Sequence, residues 1–315
     1  MNETKTEQIL QKTVTVLFGA LLCCALWGSA FPCIKIGYQL FEISSEDTAT
    51  QILFAGYRFT LAGIFALLIG SILSKTILLP KKESLGKIIK LSMLQTVLQY
   101  LFFYIGLANT TGVKASIIEG VNVFIAILVA CLIFHQETLT ANKIIGCIVG
   151  FLGVVLVNLT GNCLDLHLKL NGEGFIFLST IAYAFSSVYL KRYSKSENPV
   201  VLSGWQFVAG GIFMICCGYL TGGRISCLTA GGVGMLLYLA LVSAVAYSLW
   251  GILLKYNPIS KVAVFGFMNP VFGFLLSGIL LKESDSIGVT SIVALILVSV
   301  GICIVYREKK DNGKN

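Results

Sequence analysis

Glu119 stands about a turn and a half into an apolar run that opens at Lys114 and closes at Glu137: K-A-S-I-I-E-G-V-N-V-F-I-A-I-L-V-A-C-L-I-F-H-Q-E. Placing an ionisable group toward the middle of a bilayer costs on the order of 2.5–3.5 kcal/mol on insertion scales, so such a group is expected to face a cavity or a partner. A desolvated carboxylate suits proton exchange or the gripping of an amine. Lys114 and Asn122 flank it on the same run. At about 100° per residue the three fall within an arc of roughly 140°, which makes one wall of a cavity. The bland alternatives are an interfacial Glu119, a snorkelling Lys114 and an Asn122 that bonds a neighbouring helix, as Asn269 could.

Other residues could share such a cavity. Arg58 lies well inside the second apolar run, where an arginine must pair or snorkel; it either attracts an anionic group or serves structure. Gln95 and Gln99, one helical turn apart and so on one face, could offer polar contacts to a substrate. Trp27, Tyr100, Phe103, Tyr104, Tyr183, Tyr247 and Trp250 gather on four of the predicted helices. Aromatics there are usually packing or interfacial belts, but these recur at matched positions of a repeat, which favours a shared lining.

The elements that must position these residues follow from composition. The chain of 315 residues is 56% hydrophobic and 12% charged, with a mean hydropathy of +0.87. A soluble chain so apolar would expose far more greasy surface than water tolerates, so an all-α integral membrane protein is expected. Apolar runs over about 14–33, 51–73, 88–108, 113–134, 143–159, 174–190, 200–220, 231–254, 260–281 and 288–306 predict ten helices, each able to cross a core of about 30 Å. The first run is too long for a signal-peptide core and is followed by another span, so it is read as retained. The +8 charge lies in short blocks between the runs, which fits membrane orientation and not nucleic acid. Most of the ten cysteines sit inside apolar runs as small hydrophobes, and no Cys/His spacing suggests a metal. Cys163 and Cys227 fall in predicted loops on one side, and their pairing stays open.

The chain writes its plan twice, over residues 14–159 and 174–306. Lys261 to Glu283, K-V-A-V-F-G-F-M-N-P-V-F-G-F-L-L-S-G-I-L-L-K-E, repeats the Lys114 to Glu137 stretch. A-L-W-G-S-A-F-P-C-I-K matches I-A-Y-A-F-S-S-V-Y-L-K, placing Trp27 on Tyr183 and Lys35 on Lys191. A-G-Y-R-F-T-L-A-G-I-F matches S-G-W-Q-F-V-A-G-G-I-F, placing Arg58 on Gln206, and Tyr100 pairs with Tyr247. Five helices per half is an odd number, so the second half must enter the membrane the opposite way round. Charge agrees: the loop after helix 1 holds Glu42, Glu46 and Asp47 without a basic residue, whereas its mate carries Lys191, Arg192 and Lys195. The loop after helix 2 carries Lys75, Lys81, Lys82 and Lys87 against Arg224 alone in its mate. Both termini are therefore expected in the cytoplasm, with loops 39–50 and 160–173 outside. Many secondary transporters use such inverted repeats.

Trp27-Gly28-Ser29, Arg58-Phe59, and the endings Phe134-His135-Gln136-Glu137 and Leu280-Leu281-Lys282-Glu283 resemble the EamA-type family of the drug/metabolite transporter superfamily over about residues 16–306. The resemblance implies a ten-helix carrier of a bacterial inner membrane, with a central cavity between the halves and a small metabolite such as an amino acid as cargo. It leans toward a structural or orienting Arg58. Pro270 matches a family proline of helix 9, while Phe124 stands there in the first repeat, which leaves open whether helices 4 and 9 bend alike. The expected partners are a small-molecule substrate, the bilayer and a coupling proton, for a monomer or homodimer with no cofactor. No G-x-x-x-x-G-K-[ST] loop is present, so ATP is not expected to drive it directly. The alternative, a membrane-embedded transferase, lacks the expected acidic or histidine cluster at a helix end. A channel lacks rings of charge.

Overall fold

The computed structural model describes residues 3–44, 46–109, 118–158, 169–280 and 289–307. Among the described residues a short helix, Glu3–Gln11, leads into ten apolar helices. The first half comprises α1 (Thr13–Leu40), α2 (Thr48–Ser74), α3 (Lys82–Leu107), α4 (Ile118–Ile133) and α5 (Ala141–Asn158). The second comprises α6 (Leu170–Tyr193), α7 (Pro199–Leu220), α8 (Ala230–Tyr256), α9 (259–280) and α10 (Val289–Tyr306). No strand occurs among the described residues. Six of the helices, α1–α3 and α6–α8, are long and apolar enough to cross a membrane within the described residues, and the other four contribute shorter apolar stretches. Phe18, Leu68, Ile72, Leu220 and Ile292 point outward, as a lipid-facing surface requires.

Local signals set the helix starts. Asp47 caps α2 by accepting from the Thr50 amide at 2.9 Å. Asn198 caps α7 by accepting from Val200, with Pro199 pre-set in the first turn. Thr229 does the same for α8 at Gly232. One end differs from expectation: α1 runs on to Leu40, beyond the predicted end near Cys33. Lys35 is thus an exposed position inside the helix. A charged side chain ends an apolar run without ending the backbone ladder, and Pro32 is accommodated inside α1, as membrane helices allow.

The halves pack by exchange. α1 lies on α8 and α9, while α6 lies on α3 and α4; α2 crosses its own mate α7, and α5 crosses α10. Swapping the halves turns each of these contacts into another, as a pseudo-two-fold axis in the membrane plane demands. The self-mated crossings are close because small residues line them. A side chain at Gly63 would meet the Gly204 carbonyl at 2.5 Å, and one at its mate Gly211 would meet the Gly56 carbonyl at 2.9 Å. The two contacts are images of one another.

Helices around the centre are irregular. α3 widens into a π-helix over Ser92–Leu98, and α4 does so over Val129–Ile133. α9 instead tightens into a 3-10 turn at Val264–Phe267, just ahead of Pro270. Helices α4 and α9 are therefore irregular in different ways: the proline denies its helix a backbone donor, whereas Phe124 does not.

Candidate functional site

A cavity of about 110 Å³ lies where the two halves meet, with room for several waters or a small polar molecule. α1 lends it Trp27, Ala30, Phe31 and Ile34; α2 lends Arg58; α3 lends Gln99, Tyr100 and Phe103. α4 contributes Glu119, Gly120 and Asn122. From the second half come Tyr183 on α6, Tyr247 on α8, and Gly266, Asn269 and Pro270 on α9. Two mated pairs thus line one space: Trp27 with Tyr183, and Tyr100 with Tyr247. The Tyr100 and Tyr247 hydroxyls are hydrogen-bonded at 2.8 Å, so mated residues meet directly. Trp27 sets its ring edge-on to Tyr247, centroids 5.0 Å apart.

Several expected members stand elsewhere. Gln95 is buried behind the cavity and accepts from Gln206 at 2.9 Å. The π-helix adds to each turn, so residues four apart no longer share a face and Gln99 alone reaches the cavity. Tyr104 is buried in the apolar packing beside Ile52, Phe59 and Tyr247. Trp250 backs Trp27, ring centroids 5.0 Å apart, without lining the space. Lys114, Cys163 and Glu283 lie outside the described residues. Phe31, Ile34 and Gly266 escaped the sequence reading because nothing in their residue types separates them from ordinary helix packing.

The lining is polar in a particular way. Among the described residues, the Trp27 indole N–H, the Gln99 carbonyl oxygen and the Asn269 carbonyl oxygen are buried with no hydrogen-bond partner. Buried polar atoms left so are costly, and lining a cavity they are poised for water or a bound molecule. Arg58 is 3% exposed and donates through Nε and Nη2 to the Ser243 hydroxyl at 3.2 and 3.0 Å. Its guanidinium lies 5.3 Å from the Phe59 ring centre, and no carboxylate pairs with it among the described residues. Glu119 is half-buried on another wall, and Tyr247 lies within electrostatic range of both charges. One cavity thus carries a cation and a carboxylate that are not paired with each other. No cluster of His, Cys, Asp or Glu able to hold a metal occurs among the described residues.

A second polar cluster ties four helices at one end of the bundle. Glu137, just past α4, accepts from the backbone N–H groups of Ile259 and Ser260 and from the Ser260 hydroxyl, which caps α9. It also pairs with Lys143 of α5 at 3.3 Å and Lys191 of α6 at 3.7 Å. Lys191 also donates to the Asn257 carbonyl at 2.7 Å, so it bridges α6 to the segment just past α8. Burial alone would raise the Glu137 carboxyl, but Lys191, Ser260 and Lys143 together hold it below its ordinary value.

Among the described residues, ten apolar helices in exchanged halves around a central polar cavity make a multi-pass membrane protein built as many secondary transporters are. The sequence profile of the EamA-like transporter family matches residues 14–159 and again 170–307, and the chain belongs to that family. It is 28% identical over 295 residues to an "Uncharacterized transporter" of Archaeoglobus fulgidus, covering 91% of this chain and 97% of the relative. It is 25% identical over 316 residues to the "Uncharacterized transporter YvbV" of Bacillus subtilis, covering 96% and 94%. "Protein PecM" of Dickeya dadantii is 25% identical over 270 residues, covering 83% of this chain and 89% of its own. A solved structure titled "Crystal structure of protein" shares the fold with a TM-score of 0.74 at 13% identity, covering 92% of this chain and 96% of that one.

Proposed function

We propose that the protein is a secondary carrier that moves a small polar metabolite, such as an amino acid, across a bacterial cytoplasmic membrane by alternating access. One observation carries this reading: a polar cavity at the meeting of the two halves, walled by mated residues from each. Because mated residues stand on both walls, rocking one half against the other would expose this lining to either side of the membrane. Glu119 would take up a substrate amine or a proton, and the aromatic walls would hold the apolar part of the cargo. No cofactor is invoked. The cavity is complete within one chain, so a monomer suffices and a homodimer would carry two independent sites. Lysine and arginine asymmetry supports cytoplasmic termini, with the Glu137 cluster then at the inner end.

Counterflow in proteoliposomes loaded with individual amino acids and other small metabolites tests the reading. A carrier accumulates labelled substrate transiently against unlabelled substrate inside. Equal, non-saturating leakage of every compound would instead mark a channel, and no flux of any of them would defeat the proposal.

A further inference from the structure

We infer that Arg58 is the specificity-determining residue of the cavity and receives a carboxylate of the substrate. The inference rests on the carrier reading above. Its first support is the repeat itself. Arg58 corresponds to Gln206, and Ser243, on the helix mated to that of Thr96, corresponds to Thr96. Gln206 makes the mirror contact: its Oε1 accepts from the Thr96 hydroxyl at 3.0 Å, just as Arg58 donates to Ser243 at 3.0 Å. A neutral amide therefore suffices to bridge these two helices. The positive charge at position 58 is surplus to packing, and a buried charge is not held without return.

The second support is what surrounds each side chain. Gln206 is completed by Gln95, to which its amide donates at 2.9 Å. The position corresponding to Gln95 in the second half is Val242, which offers no acceptor. Arg58 thus keeps guanidinium donors with no described side-chain acceptor, nine-tenths buried and on the cavity wall. A planar fork in that state matches a carboxylate in two parallel hydrogen bonds. The neighbouring phenol groups of Tyr100 and Tyr247 are engaged with each other and do not neutralise it. Glu119 on another wall leaves the amine end of the same molecule a separate place, so one charge selects for the acid and the other for the amine.

The test uses the purified full chain in detergent, with the L-amino acids and the C-terminal carboxamide of each as paired probes, read by thermal shift and by inhibition of counterflow. Acids that bind wild type are expected to do so about tenfold or more tightly than their carboxamides, a difference of about 1.4 kcal/mol or more. Arg58→Gln should fold, since Gln206 makes the same bridge, and should lose that preference. Arg58→Lys should bind more weakly yet keep it. If Arg58→Gln does not fold, the wild-type comparison and Arg58→Lys decide alone. Equal binding of acid and carboxamide by wild type, or an unchanged preference in Arg58→Gln, overturns the inference and leaves the carrier reading standing. No binding and no flux with any probe overturns the amino-acid carrier reading, and the inference with it.

Discussion

At Glu119 a carboxylate sits half-buried in a spanning helix and faces a cavity, where its cost is offset by water, a proton or a cationic group. Glu119→Gln keeps the shape and removes charge and titration together. Its product should insert and fold but lose most uptake, or lose the response of uptake to an imposed pH gradient. Identical rates and gradient dependence in both proteins would show a merely interfacial residue. How far this site could be read in the sequence depended on the repeat. Trp27 with Tyr183, and Tyr100 with Tyr247, stood out because they recur at matched positions, and the structure places them on one cavity. Gln95 did not follow, since helical spacing assumes a regular helix and the π segment of α3 breaks it. The partnership of Arg58 with Ser243 was not visible either. It joins residues far apart in the chain, and only packing brings them together.

Between elements, the Glu137 cluster is the clearest tie. It gathers the end of α4, the start of α5, the end of α6 and the start of α9 on one carboxylate. Glu137→Gln removes the buried carboxylate that Lys143 and Lys191 share and should destabilise the protein by about 3–5 kcal/mol, read as a fall in thermal midpoint at neutral pH. The pH dependence follows from the lowered titration of this carboxyl. Its contribution is present above the unfolded value of about 4.3 and is lost as pH falls through the lower folded value. The gap between wild type and Glu137→Gln should therefore hold at neutral pH and close only in acid below that value. A gap that already closes between pH 7 and pH 5 would contradict it. Glu137 was legible as the residue that closes an apolar run. That it caps α9, a helix of the other half, was not, because a sequence does not say which helix start lies nearest.

At the scale of the whole molecule, helix number and the duplicated plan were readable from apolar runs and matched motifs, and the exchange of contacts between halves now gives them a spatial form. The crossing of α2 with α7 through Gly63 and Gly204 shows how such halves can pack tightly along one seam while the polar centre stays open. Alternating exposure of that centre is the central claim. It is tested by one cysteine at a time in a background where the ten native cysteines are replaced. Glu46→Cys, in the loop after α1, fixes sidedness and should react with a membrane-impermeant maleimide only from the outer face. Ile34→Cys, on the cavity wall, should react from the outer face and also from the inner face, with substrate changing the ratio of the two. Reaction of Ile34→Cys from a single face under every condition would contradict alternating access.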